Sequence, residues 1–189
     1  MKVRRSGLKA LICGAALAIG TVSGVAAKEM TALDIPMIGD IEMLKTGDQA
    51  PDFTLSDVAG NSYTLSENSS KAHLLVFWSI FCEPCKAEMP LIQRLYEEYK
   101  DRGLEVISIA MDGEPMVKSI QGLTKQQGYT FPVFIDKPTE DESFVVADPY
   151  GVAGTPTLYM VGKDGKVTFA EVGRVSRETL EEVVRKALP

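Results

Sequence analysis

FWSIFCEPCKAEMP, residues Phe77 to Pro90, sets Cys82 and Cys85 on either side of a Glu-Pro pair. The run leading into it, HLLVFWS over residues 73–79, is continuously apolar and of strand length. Such a run suits a strand covered on both faces. From Pro84 onward the period changes, with Met89, Ile92, Leu95, Tyr96 and Tyr99 recurring three or four apart. That spacing predicts an amphipathic helix, which Pro90 is expected to kink. The two cysteines therefore stand at a strand-to-helix junction.

Two cysteines at this spacing can be a structural staple, a metal clip or a working redox pair. A bridge across two intervening residues closes so short a loop that it removes little chain entropy from the unfolded state, so a Cys82–Cys85 disulfide points to chemistry. A helix N-terminus carries partial positive charge and unpaired amides, which favour a thiolate on the first cysteine. Cys82 is the expected nucleophile. Cys85, one turn further in, is placed to attack a mixed disulfide between Cys82 and a substrate. Pro84 removes one amide and stiffens the turn between the sulfurs.

Other chemistries fail on the same residues. Covalent haem attachment needs CxxCH, and Lys86 occupies the histidine position. Zinc needs about four ligands, whereas the sequence holds one histidine, His73, and no second cysteine pair near this one. Copper delivery of the Sco type needs CxxxC with a distant histidine. No metal and no cofactor beyond the dithiol is expected, and His73 reads as a strand-edge residue.

Outward from this centre the chain alternates strand and helix. DFTL and NSYTL flank a turn as a short hairpin, and GLEVISIAMD is a second buried strand. A weaker helical segment follows from Glu114 to Gln127, then a short strand, FPVFID. Residues Lys137 to Asp148 are acidic and irregular. TLYMVG and KVTFAEVG form a hairpin through Lys163-Asp164-Gly165. A last helix starts at Ser176 as N-cap and buries Leu180, Val183, Val184, Ala187 and Leu188. The alternation predicts an α/β domain built on a βαβ unit.

The N-terminus is of another kind. Lys2, Arg4 and Arg5 precede an apolar stretch rich in glycine and alanine, and no acidic residue occurs before Glu29. Residues 1–27 are expected to be a signal peptide, with Val25 and Ala27 as the small residues before a cut, or else an uncleaved membrane anchor. The 18 uncharged residues from Ala10 to Ala27 approach the roughly 20 that span a bilayer. Cys13 follows Ile12 where a lipoprotein signal needs a small residue, and is read as part of the leader. Residues 28–46, with Pro36 and Gly39, read as a linker, and residues 47–189 as the folded domain. With 45% hydrophobic and 24% charged residues in 189, the composition is that of a globular chain with room for one domain. Beyond residue 27 there remain 16 basic and 26 acidic residues, a net charge of −10, which argues against nucleic acid as a partner.

VFWSIFCEPCKAEMP together with GVAGTPT resembles the thioredoxin fold, in its exported TlpA/ResA/CcmG-like branch, related to the AhpC/TSA-Redoxin group. The resemblance covers about Gly47 to Leu188 and implies a central mixed β-sheet flanked by helices, with an N-terminal β-hairpin extension. It implies a cis-proline at Pro156 facing the CxxC, with Thr155 presenting its backbone to substrate. It implies that Glu83 and Pro84 belong to the substrate-binding surface, with Trp78 either a wall of that surface or part of the core. Phe81 stands where thioredoxins often have a second tryptophan, and Val76 stands where cytoplasmic thioredoxins carry a buried aspartate. The proton-handling group must then lie elsewhere, and Glu88, three residues after Cys85, is the candidate because a desolvated carboxyl has a raised pKa.

The activity implied is that of an exported thiol:disulfide oxidoreductase, in the periplasm or on the outer face of the inner membrane. Its implied partners are exported disulfide-containing proteins, including apocytochrome c, and a membrane thiol-electron donor. Membrane contact would come only through the N-terminal segment if uncleaved. A peroxiredoxin-type peroxidase is the nearest rival, since GDQAPDFTL resembles that family's opening, but Leu75 occupies the place of the proline before its peroxidatic cysteine. A redox-regulated binding module using Lys137 to Asp148 is the other.

Overall fold

The computed structural model describes residues 42–139 and 143–188. The expected leader, residues 28–41 of the expected linker and the tip of the acidic segment lie outside them. Among the described residues no helix is long and apolar enough to cross a membrane.

The chain is thioredoxin-like. Strand β3 (Ala72–Trp78) is buried along its whole length and forms the middle of a five-stranded sheet. To one side it pairs in parallel with β4 (Leu104–Ala110), and β4 with β5 (Val133–Ile135). To the other it pairs antiparallel with β6 (Thr157–Val161), and β6 with β7 (Val167–Val172). Helix α1 (Glu83–Tyr99) links β3 to β4 and runs on through Pro90, and α2 (Val117–Gln127) links β4 to β5. Helix α3 (Arg177–Ala187) follows β7, with the Ser176 hydroxyl accepting the Thr179 amide as its N-cap. A small hairpin, β1 (Thr54–Ser56) with β2 (Ser62–Thr64), precedes the sheet.

Alternation along β3 explains both layers of the core. Leu74, Val76 and Trp78 face the helices and pack with Met89, Ile92 and Leu95 of α1, Ile120 of α2, and Leu180 and Val184 of α3. Leu75 and Phe77 face the other way, where Phe53, Leu55, Leu65, Val146 and Tyr150 cover them. Because the sheet needs both faces buried, the N-terminal hairpin and the return segment before β6 serve as its second layer.

The acidic, irregular stretch Lys137 to Asp148 leads into this return and contributes to the core. Val146 and Ala147 are fully buried, and so is the following Tyr150, whose hydroxyl donates to the Pro51 carbonyl at 2.8 Å. Asp136 holds the segment: its buried carboxylate accepts the amides of Val146 at 3.1 Å and Ala147 at 2.8 Å. His73 departs from the strand-edge expectation. It lies in the sheet's central strand, paired with Glu105 on one side and Val161 on the other, and its side chain is buried. Burial, seconded by the charge of Lys71, pushes its pKa down to about 4, so the ring is neutral at pH 7.

Candidate active site

Ser79 to Phe81 carry the chain from the end of β3 to the start of α1, and Cys82 is the helix N-cap, in extended conformation. Its sulfur accepts the Cys85 amide at 3.2 Å. Cys82 is half-buried, while Cys85 is 2% exposed, sunk among the residues that α1 lays on the sheet. The two sulfurs are bonded, so the structure is that of the oxidised form. Glu83 and Pro84 are exposed beside them, and the Glu83 carboxylate pairs with Lys86 at 2.5 Å.

The antiparallel register of β3 with β6 brings a distant piece of chain to the same place. Phe77 faces Thr157, so Pro156 and Thr155 continue alongside Trp78 and Ser79. The Thr155–Pro156 peptide is cis. Ser79, Phe81, Cys82, Glu83, Pro84 and Thr155 line one open groove, with Phe81 74% exposed at its rim. An aromatic ring that exposed beside a half-buried cysteine offers an incoming chain an apolar contact. Of the two readings of Trp78, active-site wall or core, its burial agrees with the second, because the side chain is fully buried. It borders a separate small pocket together with Lys86, Met89, Leu123, Gln127 and Tyr129, and is not among the residues that line the groove.

Glu88 sits one turn after Cys85, on the same face of α1, and is 4% exposed. Its Oε1 accepts the Val175 amide at 2.8 Å, and Oε2 has no hydrogen-bond partner among the described residues. Burial raises its pKa above the ordinary glutamate value, against the opposing pull of the Val175 amide and the Arg174 charge. The folded state therefore binds a proton more readily than the unfolded chain. The resulting stabilisation is full below the unfolded-state value and fades as pH rises through the folded-state value. Glu88→Gln is expected to reduce that slope, so urea midpoints followed as pH rises through the window just above the ordinary glutamate range should fall more steeply in the wild type than in the variant, which keeps the buried Asp136 carboxyl. Equal slopes would show that this carboxyl is not the desolvated group.

Asp112 was not singled out in the sequence, although it stands in the loop just after β4 much as Ser79 does after β3. Its Oδ1 accepts the Ser79 hydroxyl at 2.6 Å, and its Oδ2 accepts the Ile80 amide at 3.1 Å. The available signal was the aspartate ending GLEVISIAMD, at the carboxyl ends of parallel strands where α/β folds place their sites. No group of acidic, histidine and cysteine side chains able to hold a metal occurs among the described residues.

The AhpC/TSA family matches residues 46–170. Thiol-disulfide oxidoreductase ResA of Bacillus thuringiensis (strain Al Hakam) is 35% identical over 150 residues, which are 79% of this chain and 83% of that protein. Among solved structures, one assigned as the thiol:disulfide interchange protein DsbE of Chlorobium tepidum superposes with TM-score 0.67 at 29% identity, covering 76% of this chain and 98% of that one. The thioredoxin domain of a thiol-disulfide oxidoreductase from Bacteroides vulgatus superposes with TM-score 0.64 at 26% identity, covering 75% and 99%.

Proposed function

Since the chain belongs to the AhpC/TSA family and is a ResA-like thiol:disulfide oxidoreductase, we propose that Cys82 is its nucleophile, Cys85 its resolving thiol and Glu88 its proton carrier. The observation that supports this reading is the placement of a half-buried sulfur at a helix N-terminus, bonded to a buried one and sharing a groove with Thr155.

In the reducing direction the Cys82 thiolate attacks one sulfur of a substrate disulfide. That bond breaks, one substrate sulfur leaves as a thiolate, and the other stays bonded to Cys82. Glu88 takes the Cys85 proton, and the Cys85 thiolate attacks the Cys82 sulfur. The substrate's second thiolate departs and the Cys82–Cys85 bond forms, so two electrons have passed to substrate. Burial suits Glu88 to this exchange, because a carboxyl with a raised pKa approaches that of the thiol it serves. Thr155 and Pro156 hold the substrate backbone across the groove from Cys82, while Phe81, Glu83 and Pro84 form its near wall.

The substrates we infer are disulfides of exported proteins, apocytochrome c among them, with electrons drawn from a membrane thiol donor. Residues 1–27 would direct the domain out of the cytoplasm, as a cleaved leader or as an anchor. The mature N-terminus, sequenced from cells, separates these two.

The decisive assay is reduction of insulin disulfides by the full chain with a small thiol as electron source. A rate well above the uncatalysed background is expected, and a rate equal to background overturns the assignment. Hydrogen peroxide consumption in the same preparation tests the peroxidase alternative, which the bridged cysteine pair and Leu75 do not favour. The binding-module alternative loses Val146 and Ala147 from its surface, since both are buried.

A further inference from the structure

We propose that Asp112 is a positioning residue for the Cys82 thiol, acting through Ser79 and the backbone of the junction; this rests on the thiol-exchange reading above. The junction is short, and each of its amides from Ile80 to Cys82 has an acceptor. Ile80 donates to Asp112 Oδ2 at 3.1 Å, Phe81 to the Ser79 hydroxyl oxygen at 3.1 Å, and Cys82 to the Ser79 carbonyl at 3.1 Å. Ser79 in turn donates its hydroxyl proton to Asp112 Oδ1 at 2.6 Å.

Two of those acceptors belong to the junction itself, so they curl it without fixing where it lies. Asp112 supplies the tie to a separate element. The Met111 amide donates to the Trp78 carbonyl at 2.9 Å, which extends the β3–β4 pairing to the residue before it and sets the carboxylate against the junction. Hydrogen bonds to a charged acceptor are the stronger kind. The carboxylate thereby fixes the approach of the chain into α1, on which the 3.2 Å contact between the Cys85 amide and the Cys82 sulfur depends. A junction released from Asp112 would spend less time with the helix amides aimed at the sulfur, and the thiolate would lose their stabilisation.

The charge of Asp112 itself disfavours a nearby thiolate, so the variants must separate geometry from charge. Ser79→Ala breaks the side-chain link and keeps the charge and the Ile80 contact; Asp112→Ala removes all three; Asp112→Asn removes the charge and keeps an oxygen for the Ser79 hydroxyl. The measurements are the rate of alkylation of Cys82 in the reduced protein across pH, and kcat/KM for insulin reduction. Ser79→Ala is expected to raise the pH midpoint of alkylation and to slow alkylation at pH 7 about tenfold, the effect of losing a charge-assisted hydrogen bond. Asp112→Ala should slow insulin reduction by about the same factor, and Ser79→Ala combined with Asp112→Ala should slow it no further than Asp112→Ala alone. Asp112→Asn should recover part of the loss.

An unchanged alkylation midpoint in Ser79→Ala, or a combined loss equal to the product of the single losses, overturns the proposal. Alkylation needs no substrate, so it judges the positioning role even where insulin reduction by the wild type has already failed. Ser79→Ala removes one hydroxyl at a half-buried position and keeps the variant set usable should Asp112→Ala not fold.

Discussion

Cys85→Ser, reduced and mixed with a protein disulfide, is expected to stop with the substrate bonded to Cys82, and its steady-state turnover should fall on the order of a thousandfold or more. The first attack needs only the Cys82 thiolate, whose sulfur is half-buried and receives the Cys85 amide. Release needs a second sulfur within bonding reach, and Cys85 is the one bonded to it in the oxidised structure. A serine hydroxyl does not displace a thiolate, so the mixed disulfide persists. Cys82→Ser should lose turnover equally while accumulating no adduct, because Cys85 is 2% exposed and no substrate reaches it. Non-reducing electrophoresis of both variants reads the difference directly. An adduct on Cys82→Ser but not on Cys85→Ser would reverse the two roles. In the native cell the Cys85→Ser adduct would also carry the partner's identity, and a cytochrome precursor among the trapped species would support the inferred substrate class.

The largest structural effect is expected from Phe77→Ala, at about 3–5 kcal/mol of unfolding free energy. Phe77 is fully buried in the central strand and faces the layer formed by the hairpin and the return segment, with ring centroids 5.8 Å from Tyr150 and 6.1 Å from Tyr159. Removing it leaves a cavity between the sheet and the return segment, which Asp136 pins in place and which cannot follow the sheet inward. Urea unfolding of the oxidised protein measures the loss. Phe77→Leu keeps most of the volume and should cost below about 1.5 kcal/mol, which guards against an alanine variant too unstable to purify. A loss below about 1 kcal/mol for alanine would mean that the second layer does not depend on this ring.

Much of this molecule is legible locally. The apolar run before Cys82 and the three-and-four spacing after Pro84 identify β3 and α1 because burial on two faces and burial on one stripe impose different periods on neighbouring residues. The Asp-Gly turn marks the β6–β7 hairpin, and Ser176 marks the start of α3, since both depend on backbone geometry within a few residues. Glu88 as a buried carboxyl was legible through its spacing from Cys85, but its partner, the Val175 amide, lies 87 residues away and no local pattern names it.

Segments that looked featureless carried the rest. Lys137 to Asp148 reads as acidic and irregular, and Val146 and Ala147, with Tyr150 just beyond, complete the core, because a sheet between two layers must be covered by whatever chain returns across it. Asp112 and Ser79 are unremarkable as letters and become one hydrogen-bonded unit once β3 and β4 lie in parallel register. Composition, period and the CEPC spacing reach only as far as a few residues of chain, which is enough to choose the elements and the reacting sulfurs. Which carboxylate meets the junction before those sulfurs, and which amide meets Glu88, follows from strand register and layer order, set by long-range packing to which nearby residues are blind.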